Sequence, residues 1–224
     1  DYSQVELRIL AHLSCDASLI ETFKRDEDIH AATAAEIFHV PPEQVNPEMR
    51  RLAKVINFGI IYGMSAFGLS KELAIPPSVA QAYIANYFQK YHGVRDYIDK
   101  SLELARERGY VTTIMNRRRY LPDITSSNRS VRQFAERIAI NAPIQGSAAD
   151  LIKVAMINIH RRLLKEKRKT KLILQIHDEL VFEVPEKELD PIKALVKEEM
   201  EGVVKLYIPL KVDIGVGKNW AEAH

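Results

Sequence analysis

Arg50, Lys54, Phe58 and Tyr62 recur every four residues, so on a helix two cations and two aromatic rings share one slowly drifting face, with Arg51 one step to the side. At 1.5 Å rise per residue the row spans about 18 Å, comparable with a nucleoside triphosphate laid out from γ-phosphate to base. The order suits such a ligand. Cations occupy the first two turns, where the helix dipole also favours anions, and rings occupy the later turns, where a sugar and base could stack. On spacing alone, an ordinary amphipathic helix with its rings in a core and its cations in water is the simpler reading. Two aspartates offer different chemistry, because hard cations prefer carboxylate oxygen. Asp178 interrupts the apolar run KLILQIHDELVFEVP and Asp1 precedes the stretch YSQVELRILAHLS. Aspartate is common in turns, so the residue type by itself decides neither.

The elements that must position these side chains can be read from periodicity and punctuation. Asn46 can cap and Pro47 suits a first helical position, which predicts a helix over 47–62 closed by Gly63. The opening alternates and then turns helical, and SLIETFKR and DIHAATAAEIF read as short amphipathic helices. A helical pattern over 77–108, bent near His92-Gly93 and ended by Gly109, leads to an irregular hairpin in YVTTIMNRRRYLPD. Helices over 130–140 and 147–165 follow. KLILQIHDELVFEVP then gives two strands with His177-Asp178 at a tight tip, before a helix over 189–204 and a closing strand IPLKVDIGV. The fold class expected is α+β, with helices outnumbering strands.

At 224 residues and 46% apolar content the chain can bury a core, and no repeat or Gly/Ser linker divides it. The lone cysteine, Cys15, excludes an internal disulfide and suits a reducing, cytoplasmic setting. No apolar stretch approaches the roughly 18 residues of a membrane span, so a soluble protein is expected. The net charge of +2 does not argue for nucleic acid, although basic residues cluster at 50–54, 117–119 and 160–171. Such runs are most often solvated helix faces. A first residue of Asp1 rather than methionine reads as a fragment.

The full string RRLAKVINFGIIYG closely resembles the nucleotide-binding helix of family A DNA polymerases, the bacterial DNA polymerase I type, whose pattern is RxxxKxxxFGxxYG. DYSQVELR at 1–8 is similar to that family's motif A, and QIHDE at 175–179 to its motif C. DIH at 28–30, RRRYLPD at 117–123 and NAPIQGSAAD at 141–150 match between them, in family order and at similar spacing. The resemblance covers the whole chain.

That resemblance implies two magnesium ions held by Asp1 and Asp178, with the backbone carbonyl of Tyr2 as a further ligand and Glu179 nearby. It assigns Arg50, Lys54 and His30 to the triphosphate of a dNTP, with Lys54 also protonating the pyrophosphate, and sets Phe58 against the sugar. Phenylalanine rather than tyrosine at 58 implies discrimination against dideoxynucleotides. Glu6, with Gln4 nearby, resembles the steric gate that joins Tyr62 in excluding a ribose 2′-hydroxyl, and Tyr62 with Gly63 implies a residue holding the templating position. Gln145, His177, Arg137 and Asn141 map to contacts with primer terminus and minor groove, and Arg119, in the run Arg117 to Arg119, to the backbone of the primer-template DNA.

The implied fold is the right-hand polymerase architecture: palm at 1–16, fingers at 17–128 and palm again at 129–224, with the thumb absent. The resemblance also implies a partner in the upstream thumb and palm segment of the same polymerase, whose strands would complete an open sheet edge, and a monomeric full enzyme. The chain alone is then expected to be inactive. A phage-type RNA polymerase shares the two aspartates and a lysine helix, but Glu6 and QIHDE favour DNA. A non-catalytic nucleic-acid-binding module would keep the basic face with no reason to combine Asp1, Asp178, Lys54 and His30.

Overall fold

Short polar side chains start most of the early helices in the computed structural model, which describes residues 1–223. After α1 (Val5–Ser14), Asp16 accepts from the Leu19 amide at the head of α2 (Ala17–Lys24), and Asp28 accepts from His30 and Ala31 at the head of α3 (Ile29–Phe38). Asn46 accepts from Met49 to open α4 (Pro47–Ile61), with Pro47 in the first turn as its fixed φ favours. Ser65 accepts from Gly68 to open α5 (Ala66–Leu73), a helix the periodicity reading did not anticipate.

The bend expected near residues 92–93 is a break. α6 (Pro77–Lys90) and α7 (His92–Arg108) are separated by Tyr91, whose φ of −107° and ψ of 61° leave the helical region. Gly93 explains the position: its amide donates to Asp16 Oδ2 at 2.9 Å, and a Cβ there would lie 2.9 Å from the Asp16 Cα. Asp16, 1% exposed, thus caps two helices with one carboxylate. Asp16→Ala is expected to cost about 2–3 kcal/mol, combining a lost N-cap with the part-buried Gly93 amide left without its charged acceptor. Urea denaturation checks this, and an unchanged midpoint would show that the double cap is not stabilising.

Two compact units result, one of Glu6–Ser147 and one of Asp1–Val5 with the chain from Ala148 onward. In the first, α3 packs on α4 and α5 on α6 around the buried Ile29, Ile37, Ile56, Ile60, Leu69 and Tyr87. A separate cluster of Ala105, Val111, Leu121, Ile124, Ala135 and Ala139 seats the hairpin of β1 (Tyr110–Thr112) and β2 (Arg118–Tyr120), in which Val111 pairs with Arg119.

The two helices expected over 130–165 are one, α8 (Arg129–Lys165), with Pro143 inside it. Proline removes an amide and crowds the preceding turn, a penalty of about 3 kcal/mol that usually ends a helix. Here Ala139 and Ile144 are fully buried on either side, and Ser147 Oγ donates to the Pro143 carbonyl while accepting from the Ile114 amide, so packing carries the helix through.

In the second unit β3 (Lys171–Ile176) pairs antiparallel with β4 (Glu179–Glu183), with an irregularity between Leu172 and Leu174, and Ile176 opposite Glu179 leaves a two-residue turn at His177-Asp178. α9 (Leu189–Glu201) stops three residues earlier than expected, where the Gly202 amide closes on the Glu198 carbonyl, and α10 (Trp220–Ala223) follows. The expected closing strand IPLKVDIGV does not form. Val212 makes one antiparallel bridge to Tyr2, because Gln4 at φ 54° turns the partner segment away and α1 begins at Val5, leaving nothing extended to pair with. Among the described residues no helix is long and apolar enough to cross a membrane.

Candidate functional site

α4 divides its side chains sharply. Ala53, Ile56, Asn57, Ile60 and Ile61 are buried, whereas Arg50, Lys54 and Tyr62, just past the helix end, are exposed and Phe58 is half-buried. The simpler amphipathic reading, with both rings in a core, therefore fails: Tyr62 is 38% exposed, and its ring stacks on Phe58 with centroids 6.2 Å apart and planes 26° apart. Cations and rings stand in order along an outward face.

Asp28, His30 and Glu6 flank that face. Arg50 Nε donates to Asp28 Oδ2 at 2.6 Å, and Asp28 simultaneously caps α3. Burial would raise the Asp28 carboxyl, but the bonds from Arg50 and from the Ala31 and His30 amides hold it below the ordinary carboxylate value. His30 follows, 3% exposed, its ring 6.0 Å from that of Phe58 and its Nδ1 3.0 Å from Asn57 Nδ2. At the far end of the row the Tyr62 hydroxyl donates to Glu6 Oε2 at 3.0 Å. Gly63, at φ +64°, closes the helix where a Cβ would meet Arg137 Cγ at 3.2 Å and Ile140 Cδ1 at 3.3 Å. Both the backbone angle and the close approach demand glycine.

Burial lowers the His30 imidazole to about 4, against the pull of Asp28 and with the help of Arg50 and Lys54. The unfolded imidazole, at 6.5, binds a proton that the folded one refuses until about pH 4, so stability rises with pH across that window. Wild type is expected to lose up to about 1.4 kcal/mol per pH unit there as pH falls, and His30→Gln to flatten the slope. Urea midpoints between pH 4 and 7 decide it, with parallel curves for the two proteins counting against a buried neutral His30.

Further along this unit, Arg137, Asn141 and Gln145 recur every four residues on α8, the first and last exposed and Asn141 half-buried. The Arg137 guanidinium lies 5.7 Å from the Phe134 ring. On the β1–β2 hairpin, Arg117 Nη2 donates to the Gly146 carbonyl at 2.9 Å, Arg118 lies 4.8 Å from the Tyr110 ring, and Arg119 is exposed.

The other unit holds the carboxylates. The Tyr2 amide donates to the Asp178 carbonyl at 3.2 Å, Ser3 N donates to the Lys211 carbonyl and Asp213 N to the Asp1 carbonyl. Residues 1–3 are thereby clamped between the β3–β4 tip and residues 211–213. The Tyr2 side chain, 2% exposed, anchors this segment by donating to the Met200 carbonyl at 2.8 Å, and burial together with Glu201 raises its phenol well above the usual range. Burial lowers the Asp1 ammonium while Glu179, Asp178 and Asp213 draw it back up, so acidic groups surround residue 1. Glu179 Oε1 accepts from Trp220 Nε1 at 3.0 Å. His177, exposed at φ 53°, occupies the tip beside Asp178, and Gln4 is half-buried at the turn into α1.

These oxygens fit magnesium. Among the described residues no group of three or more His, Cys, Asp or Glu side chains is arranged around a cation position. Magnesium does not need one, since it is commonly held by one or two carboxylates and completes its octahedron with water and substrate phosphate. The Tyr2–Asp178 main-chain bond brings two carboxylate residues, Asp1 and Asp178, into neighbouring segments.

Two residues near the α4 face were not singled out from the sequence: Asp28, quoted only within DIH, and Asn57. Asn57 had a legible signal, being the one polar side chain on the stripe Ala53, Ile56, Asn57 and Ile60.

Relatives agree along the entire chain. DNA polymerase I of Bacillus caldotenax is 52% identical over 223 residues, all of this chain and 25% of that protein, and the thermostable DNA polymerase I of Thermus aquaticus is 53% identical over 223 residues and 27% of its length. The chain thus spans about a quarter of the relatives it matches. Among solved structures, the POL domain of Pol1 from M. smegmatis, in complex with a DNA primer-template and dNTP, superposes with a TM-score of 0.97 at 48% identity, covering all of this chain and 39% of that one. With the family model for DNA polymerase family A matching residues 1–222, the chain belongs to DNA polymerase family A.

Proposed function

We propose that this chain supplies the nucleotide-binding and metal-binding parts of a template-directed DNA polymerase that adds deoxynucleotides from dNTPs to a primer 3′-hydroxyl and releases pyrophosphate. The observation that carries this reading is the outward face of α4, where Arg50, Lys54, Phe58 and Tyr62 stand in the order of triphosphate, sugar and base with His30 alongside. Residues 17–128 act as fingers and residues 1–16 and 129–224 as palm, in a monomeric enzyme of the reducing cytoplasm, where the lone Cys15 stays a thiol.

Two magnesium ions on Asp1, Asp178 and the Tyr2 carbonyl would neutralise phosphate charge and ease deprotonation of the primer hydroxyl when bound. The chain's own residues do the rest. Arg50, steadied by Asp28, and His30 orient the triphosphate, so that the primer oxygen forms its bond to the α-phosphorus as the bond to the pyrophosphate oxygen breaks. Lys54 gives a proton to that departing oxygen. Phe58 lies against the sugar. Arg137, Asn141 and Gln145, with His177, meet the minor groove of the nascent pair, whose purine N3 and pyrimidine O2 acceptors are common to all correct pairs, and Arg119 meets the DNA backbone.

The Tyr62–Glu6 hydrogen bond favours deoxyribose, because a carboxylate held by the tyrosine would crowd a 2′-hydroxyl, with Gln4 at the same end of α1. Primer extension by a polymerase carrying this chain tests the reading. dNTPs are expected to be strongly preferred, and Glu6→Ala to raise kcat/KM for ribonucleotides at least about tenfold, the value of roughly one steric or polar contact. Ribonucleotide preference in the wild type would overturn the proposal in favour of an RNA polymerase.

A further inference from the structure

Behind His30 lies a chain of buried polar groups, Asn57, Thr33 and Tyr91, that the polymerase mechanism above does not use. Thr33 and Asn57 are fully buried and Tyr91 is 1% exposed. Thr33 Oγ1 donates to Asn57 Oδ1 at 3.2 Å, Asn57 Nδ2 lies 3.0 Å from His30 Nδ1, and the Tyr91 hydroxyl lies 3.2 Å from Thr33 Oγ1. With the Asn57 carboxamide oriented as it is, Oδ1 toward Thr33 and Nδ2 toward His30, this chain has one direction. The single Thr33 proton is committed to Asn57, so Tyr91 must be the donor to Thr33. Asn57 Oδ1 is an acceptor by that bond, so its Nδ2 is the atom facing His30, and an amide nitrogen can only donate. His30 Nδ1 must therefore be the unprotonated nitrogen, and the single proton of the neutral ring sits on Nε2.

We propose that Asn57 is a positioning residue for the nucleotide: oriented by Thr33 and Tyr91, it fixes His30 as the Nε2–H tautomer, so that His30 presents one donor to a phosphate oxygen. The second half of this statement rests on the reading of the α4 face as a triphosphate site. With the opposite tautomer, Nε2 would meet the anion with a lone pair and repel it. A neutral imidazole also suits a position beside Arg50 and Lys54, where a third full charge would be opposed, and burial keeps the ring neutral at pH 7. Asn57 costs something to keep, since a polar side chain on the buried stripe of α4 is tolerated only while both ends are bonded.

Imidazole ¹⁵N spectra at pH 7 test this in the full chain without any substitution. The expected wild-type result is a protonated-type shift at Nε2 and an unprotonated-type shift at Nδ1 of His30. Asn57→Asp replaces the donor with an acceptor and is expected to bring a proton onto Nδ1. Thr33→Val releases the amide to flip and is expected to give a mixture of tautomers. In a polymerase carrying the chain, Asn57→Asp should raise the apparent KM for dNTP about tenfold with little change in kcat, as losing one hydrogen bond to a charged group implies. A wild-type ring protonated on Nδ1, or a wild-type mixture, overturns the inference whatever the ligand. The stated tautomer with an Nε2 resonance that ignores added dNTP and magnesium overturns the phosphate contact, and with it the reading of the α4 face.

Discussion

Asparagine at position 178 is expected to lower kcat for primer extension by at least about a thousandfold, or roughly 4 kcal/mol of transition-state stabilisation, while leaving the fold intact. The separation of the two effects follows from which atoms do what. The fold uses the Asp178 main chain, whose carbonyl accepts from the Tyr2 amide, and the residue's place between Ile176 and Glu179 in the β3–β4 turn. Neither depends on the side-chain charge. The proposed metals, in contrast, would depend on it, because an amide offers one neutral oxygen where a carboxylate offers charge and two. Single-turnover extension over a magnesium titration, with thermal unfolding in parallel, makes the comparison. Retention of more than a tenth of the wild-type rate at unchanged stability would remove Asp178 from the metal set.

Lys54→Ala should cost about a hundredfold to a thousandfold in kcat/KM, the usual range for losing a positioned general acid together with a charge on the triphosphate. Lys54 is exposed on α4 and the helix rests on Ala53, Ile56, Asn57 and Ile60, so stability should change by no more than about 0.5 kcal/mol. Lys54→Arg divides the two roles. A guanidinium keeps the charge and the phosphate contact but does not release a proton near neutral pH, so KM is expected to recover and kcat to stay low. An arginine variant with wild-type kcat would leave Lys54 as a phosphate contact alone.

Local chemistry was legible in the residues. Asn46-Pro47 marked the start of α4 and Gly63 its close, Gly109 ended α7, and the polar pair in KLILQIHDELVFEVP became the turn between β3 and β4. Capping, glycine at positive φ and alternation act within about four residues, so a string of letters contains them. The same locality explains the errors. Two helices were expected where α8 is one: the cost of Pro143 is local, whereas the burial of Ala139 and Ile144 that outweighs it is not. The closing strand failed for the complementary reason: its alternation was present but its partner, residues 1–3, was too short to form a ladder.

For the site, sequence by itself determined which side chains share one face of α4 and in what order, since a period of four on a helix admits no other arrangement. Only the tertiary structure decided that this face looks outward, because that depends on which side of α4 the rest of its unit covers. The pairings of Glu6 with Tyr62, 56 residues apart, and of His30 with Asn57, 27 apart, belong to the same class. So does the clamp that sets Asp1 beside Asp178 through Tyr2. A residue's type states what bonds it can make, but which partner comes within about 3 Å is fixed by packing between segments distant in the chain, and within each unit the candidate residues are arranged by such pairs.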